Sequence, residues 1–299
     1  MRPFSKSPSA DNGFILVAVL WMVAALATLA SIYSIYTVRT AAGSHVADER
    51  LQAEESIRAG VELAAYQVLA SPEAARPTHG AFDARVGRTR ISVRYRSEGA
   101  RIDLNVAPKD LLIGLLKSVG VGETEAASYA DRIIGWRKKA APNVGDVEAD
   151  AYKTAGIPYA PRQAPFNDVL ELSLVMGIPA PVVERILPDV TIYSGQPLID
   201  VVNADATVLD ALPGMTRDIL HEVLAARAQN PNDGKALMAL MGPARRRVTL
   251  DGGKALRASV RVELERGRRV EAEVVFMLSN SGNDPFDIVY WRDDFDGPL

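Results

Sequence analysis

Few residues in this 299-residue chain have the types and spacing that chemistry needs. Asp146, Glu148 and Asp150 alternate along one stretch, and Asp293, Asp294 and Asp296 gather near the C-terminal end. Alternating carboxylates in a loop can offer oxygens to Ca²⁺, but an EF-hand-type loop needs a glycine where Ala151 stands and a matching later glutamate. The stretch reads as a solvated acidic loop, with Asp146, Glu148 and Asp150 as the calcium candidates and no cofactor required. The histidines, His45, His79 and His221, are far apart, and G-x-S-x-G, H-E-x-x-H and P-loop patterns are missing. Cysteine is absent, which removes disulfides and thiolate metal sites. These observations point away from an enzyme.

Three glycine-centred stretches have the form of helix-hairpin-helix loops: Val119-Gly120-Val121-Gly122, Val175-Met176-Gly177-Ile178 and Leu212-Pro213-Gly214-Met215. Such loops can hold DNA phosphates through backbone N–H groups and the positive end of the following helix. That binding needs basic flanks. Here the first loop is followed by Glu123 and Glu125 and the third by Arg217-Asp218, so a packing role is the expectation. A membrane-anchored nucleic-acid-binding protein of a DNA-uptake system is the alternative reading, and a periplasmic binding module released by signal peptidase is a third.

The elements that must position these residues begin with an uncharged run from Phe14 to Val38, preceded by a leader carrying Arg2 and Lys6. Its 25 residues span ~37 Å as a helix, enough for a ~30 Å hydrocarbon core. Ala25-Leu26-Ala27 imitates a signal-peptidase site, but the run continues apolar to Val38, beyond the needs of a signal core. A retained anchor is expected, and the basic leader argues weakly for a cytoplasmic N-terminus, Arg39 standing after the run. No proline separates it from Thr40–Leu69, where Ile57, Val61, Ala64 and Val68 repeat at helical spacing. One helix over 14–72, ending at Ser71-Pro72, is the prediction, with 14–38 in the membrane.

Without the leader and the apolar run (Arg2, Lys6 and Asp11), 32 basic and 36 acidic residues remain, a net charge near −4. Nothing there attracts polyanions by bulk charge. At 48% hydrophobic and 24% charged positions, this remainder has the composition of an ordinary globular protein. Ile91, Val93 and Tyr95 alternate with polar residues, and 84–86 with 91–95 read as a hairpin followed by a short strand at 101–104. Helical signals then run from Asn105, a candidate N-cap, through Leu111, Leu112, Leu115 and Leu116, with a long surface loop expected at 138–165. Alternation returns at 256–264, 270–278 and 287–291. The fold class read from this order is α+β: a long N-terminal helix packed on an antiparallel β-sheet (73–104 and 248–299), with a helical insert at 105–247.

The order of features resembles the minor pseudopilin K family of type II secretion systems, also called general secretion pathway protein K. The resemblance rests on the leader ending Gly13-Phe14 before Ile15-Leu16-Val17, on Arg101-Ile-Asp-Leu-Asn-Val-Ala-Pro108 before Leu111-Leu112, on Tyr159-Ala-Pro-Arg162 with Pro165-Phe166 and Leu170-Glu171-Leu172, and on Pro188-Asp-Val-Thr191. It implies a pilin-like fold and a precursor whose leader 1–13 is cut by a prepilin peptidase between Gly13 and Phe14, with methylation of the new N-terminus. Most pilin-like proteins carry a glutamate at the fifth mature position; Ala18 stands there, as the K-type subunit implies. A carboxylate inside a bilayer is costly without a partner. The resemblance further implies a single-pass inner-membrane protein with its C-terminal domain in the periplasm. It would sit at the pseudopilus tip, start assembly with the I- and J-type minor pseudopilins, meet the inner-membrane secretion platform and export proteins across the outer membrane. Some relatives bind calcium. Ala18, Ile57, Val61, Ala64 and Val68 are expected to pack on partner helices.

Overall fold

The computed structural model describes residues 11–139, 147–231, 233–265, 267–279 and 284–295. The chain divides into two units, Met1–Glu55 and Ser56–Leu299. In the first, helix α1 (Asp11–Leu69) begins; its final turns, from Ser56, belong to the second. No proline interrupts it, and Ser71-Pro72 follow its end, where the proline ring cannot continue a helix.

In the second unit an antiparallel sheet is built from β1 (His79–Val86), β2 (Thr89–Ser97) and three strands from the far end of the chain. Gly87 and Arg88 form the β1–β2 turn, and Gly87 has φ 60°, the left-handed conformation that two-residue hairpins require. Alternation along β2 puts Ile91, Val93 and Tyr95 on a buried face and Arg90, Arg94 and Arg96 on the other.

Gly60 marks where α1 meets the sheet. A Cβ there would lie 3.1 Å from the side chains of Ile91, Val93 and Val260, so its absence lets the backbone approach closely. On either side of it Ile57, Val61, Ala64 and Val68 are at most 1% exposed. This corrects the expectation that the stripe packs on partner helices. An apolar stripe at helical spacing needs an apolar surface, and the chain's own sheet supplies it. Ala18, in the first unit, is exposed.

After β2 the chain makes a 3-10 turn (Glu98–Ala100) and the short strand β3 (Ile102–Asp103). β3 lies outside the main sheet, pairing parallel with β4 (Val190–Thr191). Between them run α2 (Lys109–Ser118), α3 (Glu123–Arg137), α4 (Val147–Thr154) and α5 (Ala180–Ile186). Pro108, rather than Asn105, occupies the N-cap position of α2; the Asn105 side chain instead exchanges hydrogen bonds with the backbone of Phe166. α4 falls where a long loop was expected. Its eight residues are flanked by proline and glycine, and that composition outweighed a weak helical pattern.

The same plan then recurs in shorter form. β5 (Ile199–Asp200) and β6 (Val248–Thr249) pair in parallel around α6 (Ala206–Asp210), α7 (Arg217–Gln229) and α8 (Gly234–Leu240). Leu104 N–H donates to Thr191 O at 2.9 Å, and Val201 N–H to Thr249 O at 3.2 Å. Gly120 and Gly214 turn the two equivalent hairpins, with φ 91° and 84°. A single apolar core that includes Leu112, Ile133, Trp136, Leu209, Val223 and Met241 runs through both copies.

β7 (Ala255–Glu263), β8 (Arg269–Leu278) and β9 (Phe286–Asp293) complete the sheet, in the order β1-β2-β7-β8-β9. Val93 faces Val260 and Val260 faces Ala272 across the buried side. The opposite side is a ladder of exposed or half-exposed ion pairs: Arg90 to Glu263 at 3.2 Å, Arg261 to Glu271 at 2.6 Å and Arg292 to Glu273 at 2.9 Å. Solvent screening leaves such pairs worth at most about 1 kcal/mol each, so they set strand order more than stability.

Candidate functional site

In the first unit, Ile15–Tyr36 is a 22-residue span without a charge, ~33 Å long at 1.5 Å per residue. Its large side chains are open on all sides, Leu16 at 71% and Trp21 at 74%. Its hydroxyls are not left wanting: Thr28 Oγ1 donates to Ala24 O at 2.8 Å and Ser31 Oγ to Ala27 O at 2.9 Å. A helix that satisfies its polar groups internally suits a hydrocarbon interior, where water cannot. The span fits a single-pass membrane anchor. Gly13 and Phe14 lie within the helical backbone of α1, and the first ten residues of the leader fall outside the described residues.

Glu98 and Arg257 join the sheet to the insert. Glu98 Oε1 takes the Arg257 Nε–H at 2.6 Å and Oε2 an Nη2–H at 3.1 Å, while Thr191 Oγ1 donates to Oε2. The Glu98 side chain is 1% exposed and that of Arg257 is 10%. Burial pushes the Glu98 carboxyl up, but the hydrogen bonds and charge of Arg257 outweigh it and hold the group below its ordinary value. The same pairing, together with Glu273 at 2.9 Å, overcomes burial and raises Arg257. Arg257 also stacks over Tyr290, 5.6 Å from the ring centroid, and Tyr290 lies 6.3 Å from Tyr193 of the insert.

The sequence stretches that carry the family resemblance meet in the first copy of the insert. Asp103, 1% exposed, accepts from the N–H groups of Asn105 (2.8 Å) and Gly195 (2.7 Å) and from the Ser194 hydroxyl (3.2 Å). Arg137 donates to the carbonyls of Leu104 and Ala107. Glu171 collects Trp136 Nε1 at 3.0 Å and Arg162 at 3.2 Å. In the second copy Asp200, fully buried, accepts from Val202 N at 3.0 Å, and Arg227 donates to Ala204 O at 2.5 Å. Burial raises both aspartates despite these hydrogen bonds. These groups bond to the chain's own backbone and side chains, and so knit its loops.

Two of the three calcium candidates lie among the described residues. Asp146 lies outside the described residues. Glu148 and Asp150 sit on helix α4, two residues apart, a spacing that points side chains to different faces, and Glu148 pairs with Arg132 at 2.9 Å. In the C-terminal cluster, Asp293 accepts from Trp291 Nε1 at 2.8 Å and Asp294 from Glu271 N at 2.6 Å, while Asp296 lies outside the described residues. Among the described residues no group of three or more His, Cys, Asp or Glu side chains could hold a metal ion. At the first hairpin Lys117 pairs with Glu123, so a cation next to that loop is neutralised.

Residues 97–195 match the family model described as type II secretion system protein K. That segment is similar to the protein K family. It covers the whole first copy, from the 3-10 turn that carries Glu98 to the β4 strand that carries Thr191. Compared as a fold, the chain is similar to a crystallised GspK-GspI-GspJ complex from the enterotoxigenic Escherichia coli type 2 secretion system. The TM-score is 0.60 and the identity 16%, over 82% of this chain and 97% of that one. No curated protein matches the sequence significantly. The likeness in fold therefore extends well beyond the matched segment, and the α+β class, with an N-terminal apolar helix, an antiparallel sheet and many helices, is the one read from the sequence. The Glu98–Arg257 junction escaped that reading, because 159 residues separate the pair. The repeat could have been found by aligning Ile102-Asp103 with Ile199-Asp200 and Val190-Thr191 with Val248-Thr249.

Proposed function

We propose that the protein is a minor pseudopilin of a type II secretion system, held in the inner membrane by Ile15–Tyr36 with the sheet and insert in the periplasm. In this role it occupies the tip of the pseudopilus and starts assembly with the I- and J-type subunits on the secretion platform. The observation that carries the reading is the pairing of an uncharged 22-residue N-terminal helix with a sheet split by a two-copy helical insert. A shaft subunit must accept a neighbour on both sides. An insert of this bulk suits a terminal position, and Ala18 in place of a carboxylate suits a subunit with no neighbour beyond it to pair with. Support for the partners comes from the GspK of similar fold, which was crystallised with GspI and GspJ.

Two measurements test this. Intact-mass analysis of the chain made together with a prepilin peptidase is expected to show loss of Met1–Gly13 and gain of one methyl group on Phe14. Co-expression with the I- and J-type subunits is expected to return a complex on affinity purification. A chain cut after Ala27, or one that purifies alone, overturns the reading.

A further inference from the structure

Within the second unit, the connection from α1 to β1 and the loop 250–254 face each other across a cleft of about 620 Å³. Val68, Leu256 and Leu278, each at most 3% exposed, line it from below. A second opening of about 440 Å³ shares Arg76, Pro77, Thr78 and Leu250 with the first, which makes the space elongated. Its walls are fixed in advance. Ser97 N–H donates to Thr78 O at 2.7 Å, Asn203 Nδ2 to Thr78 Oγ1 at 2.7 Å, and the Ser97 hydroxyl to Gly252 O. A Cβ on Gly252 would lie 2.6 Å from Thr78 Cγ2, so the Gly252 backbone packs directly on the Thr78 side chain.

Arg76 lines both openings, and its Nε is buried without a hydrogen-bond partner. A buried donor on a charged group is costly to leave unmade, and an acceptor from outside the chain would remove that cost. A guanidinium fork matches a group with two oxygens. Lys254 at the same cleft makes no ion pair among the described residues. Of the carboxylates on the rim, Asp251 accepts from Gly253 N at 2.9 Å and Glu73 is exposed.

We propose that this cleft binds the C-terminal carboxylate of an extended peptide ending in an apolar residue. Arg76 and Lys254 hold the carboxylate, Leu250, 39% exposed, packs with Pro77 against the last side chain, and the peptide continues past them into the second opening. Leu250 and Pro77 offer inorganic phosphate nothing to bury, and the linked openings are far larger than a simple carboxylate requires.

The test uses the full chain in detergent micelles and a fluorescein-labelled tetrapeptide, Gly-Ser-Val-Leu, followed by anisotropy. Saturable binding is expected with the free C-terminus and is expected to weaken about tenfold or more with the C-terminal amide, the loss of one charge-assisted contact. Arg76→Gln and Arg76→Lys should each weaken binding of the acid form by a similar factor and leave binding of the amide unchanged. Arg245→Gln, on a different surface, should change neither. If Arg76→Gln does not fold, as judged by its melting curve, Lys254→Gln carries the same comparison. Equal binding of acid and amide, no binding at all, or full displacement by inorganic phosphate at concentrations matching the peptide overturns the proposal.

Discussion

Glu98 and Arg257 meet in a buried two-point ion pair, at 2.6 and 3.1 Å, although 159 residues separate them in the chain. Removing one member of such a pair strands the other, so Glu98→Gln is expected to cost about 3–5 kcal/mol. The pH dependence follows from the lowered carboxyl. With a native value below the ordinary 4.5, the stabilisation is complete above pH 4.5 and is lost as the pH falls through the native value. Asp103 and Asp200, raised by burial, act in the opposite sense: their cost is present at neutral pH and is relieved on acidification. The difference in urea stability between the wild type and Glu98→Gln isolates the Glu98 contribution. It should be flat above about pH 5 and shrink below the ordinary carboxylate range.

Arg137 and Arg227 close equivalent loops in the two copies of the insert, each donating to two backbone carbonyls. Replacing either by methionine leaves buried carbonyls unmet and should cost about 1.5–3 kcal/mol. They act in separate copies, so the double variant should equal the sum within about 0.5 kcal/mol. Urea denaturation of the three variants checks this, and a marked excess in the double variant would mean that the copies are energetically coupled.

Gly114 and Gly60 differ in what surrounds them. A Cβ at Gly114 would lie 1.9 Å from the carbonyl oxygen of Ala211, a backbone atom that cannot step aside without moving α6. Gly114→Ala is therefore expected to destabilise by about 1–3 kcal/mol or more. At Gly60 the neighbours are methyl groups at 3.1 Å. The ~1 kcal/mol gained in helix propensity should offset most of the crowding in Gly60→Ala. Thermal melting should rank Gly114→Ala well below Gly60→Ala.

Leu26 stands near the middle of the apolar span. Leu26→Arg places a charge there at a cost of about 2.5–3.5 kcal/mol of insertion free energy. Carbonate extraction of membranes should find the variant shifted toward the soluble fraction. Retention equal to that of the wild type would show that the span does not act as the anchor.

Sequence patterning revealed those elements whose apolar period is long and uninterrupted. α1 was legible to within three residues, and β2, β7 and β8 to within one or two, because Val93, Val260 and Ala272 alternate with polar neighbours. What those faces meet was not legible. The Ile57–Val68 stripe has the right period for any apolar partner, and only the folded chain shows that its own sheet is that partner. The repeat was obscured for a similar reason. Ile102-Asp103 and Ile199-Asp200 begin matching units, but the first copy carries α4 and its flanking loops between Arg137 and Pro179, so the spacing of the shared residues differs.

The register that sets Ser97 opposite Leu256 joins β2 to β7 across the whole insert. For an open chain, closing a loop of that length costs about 4–5 kcal/mol in its length-dependent part. Once the insert has folded, its entrance and exit are held side by side, at the Ser97–Gly252 contact, and that closure no longer opposes strand pairing. The helical insert is therefore expected to act as the template on which the two halves of the sheet find each other. A cut within the insert should therefore delay the sheet more than a cut within the sheet's own turns.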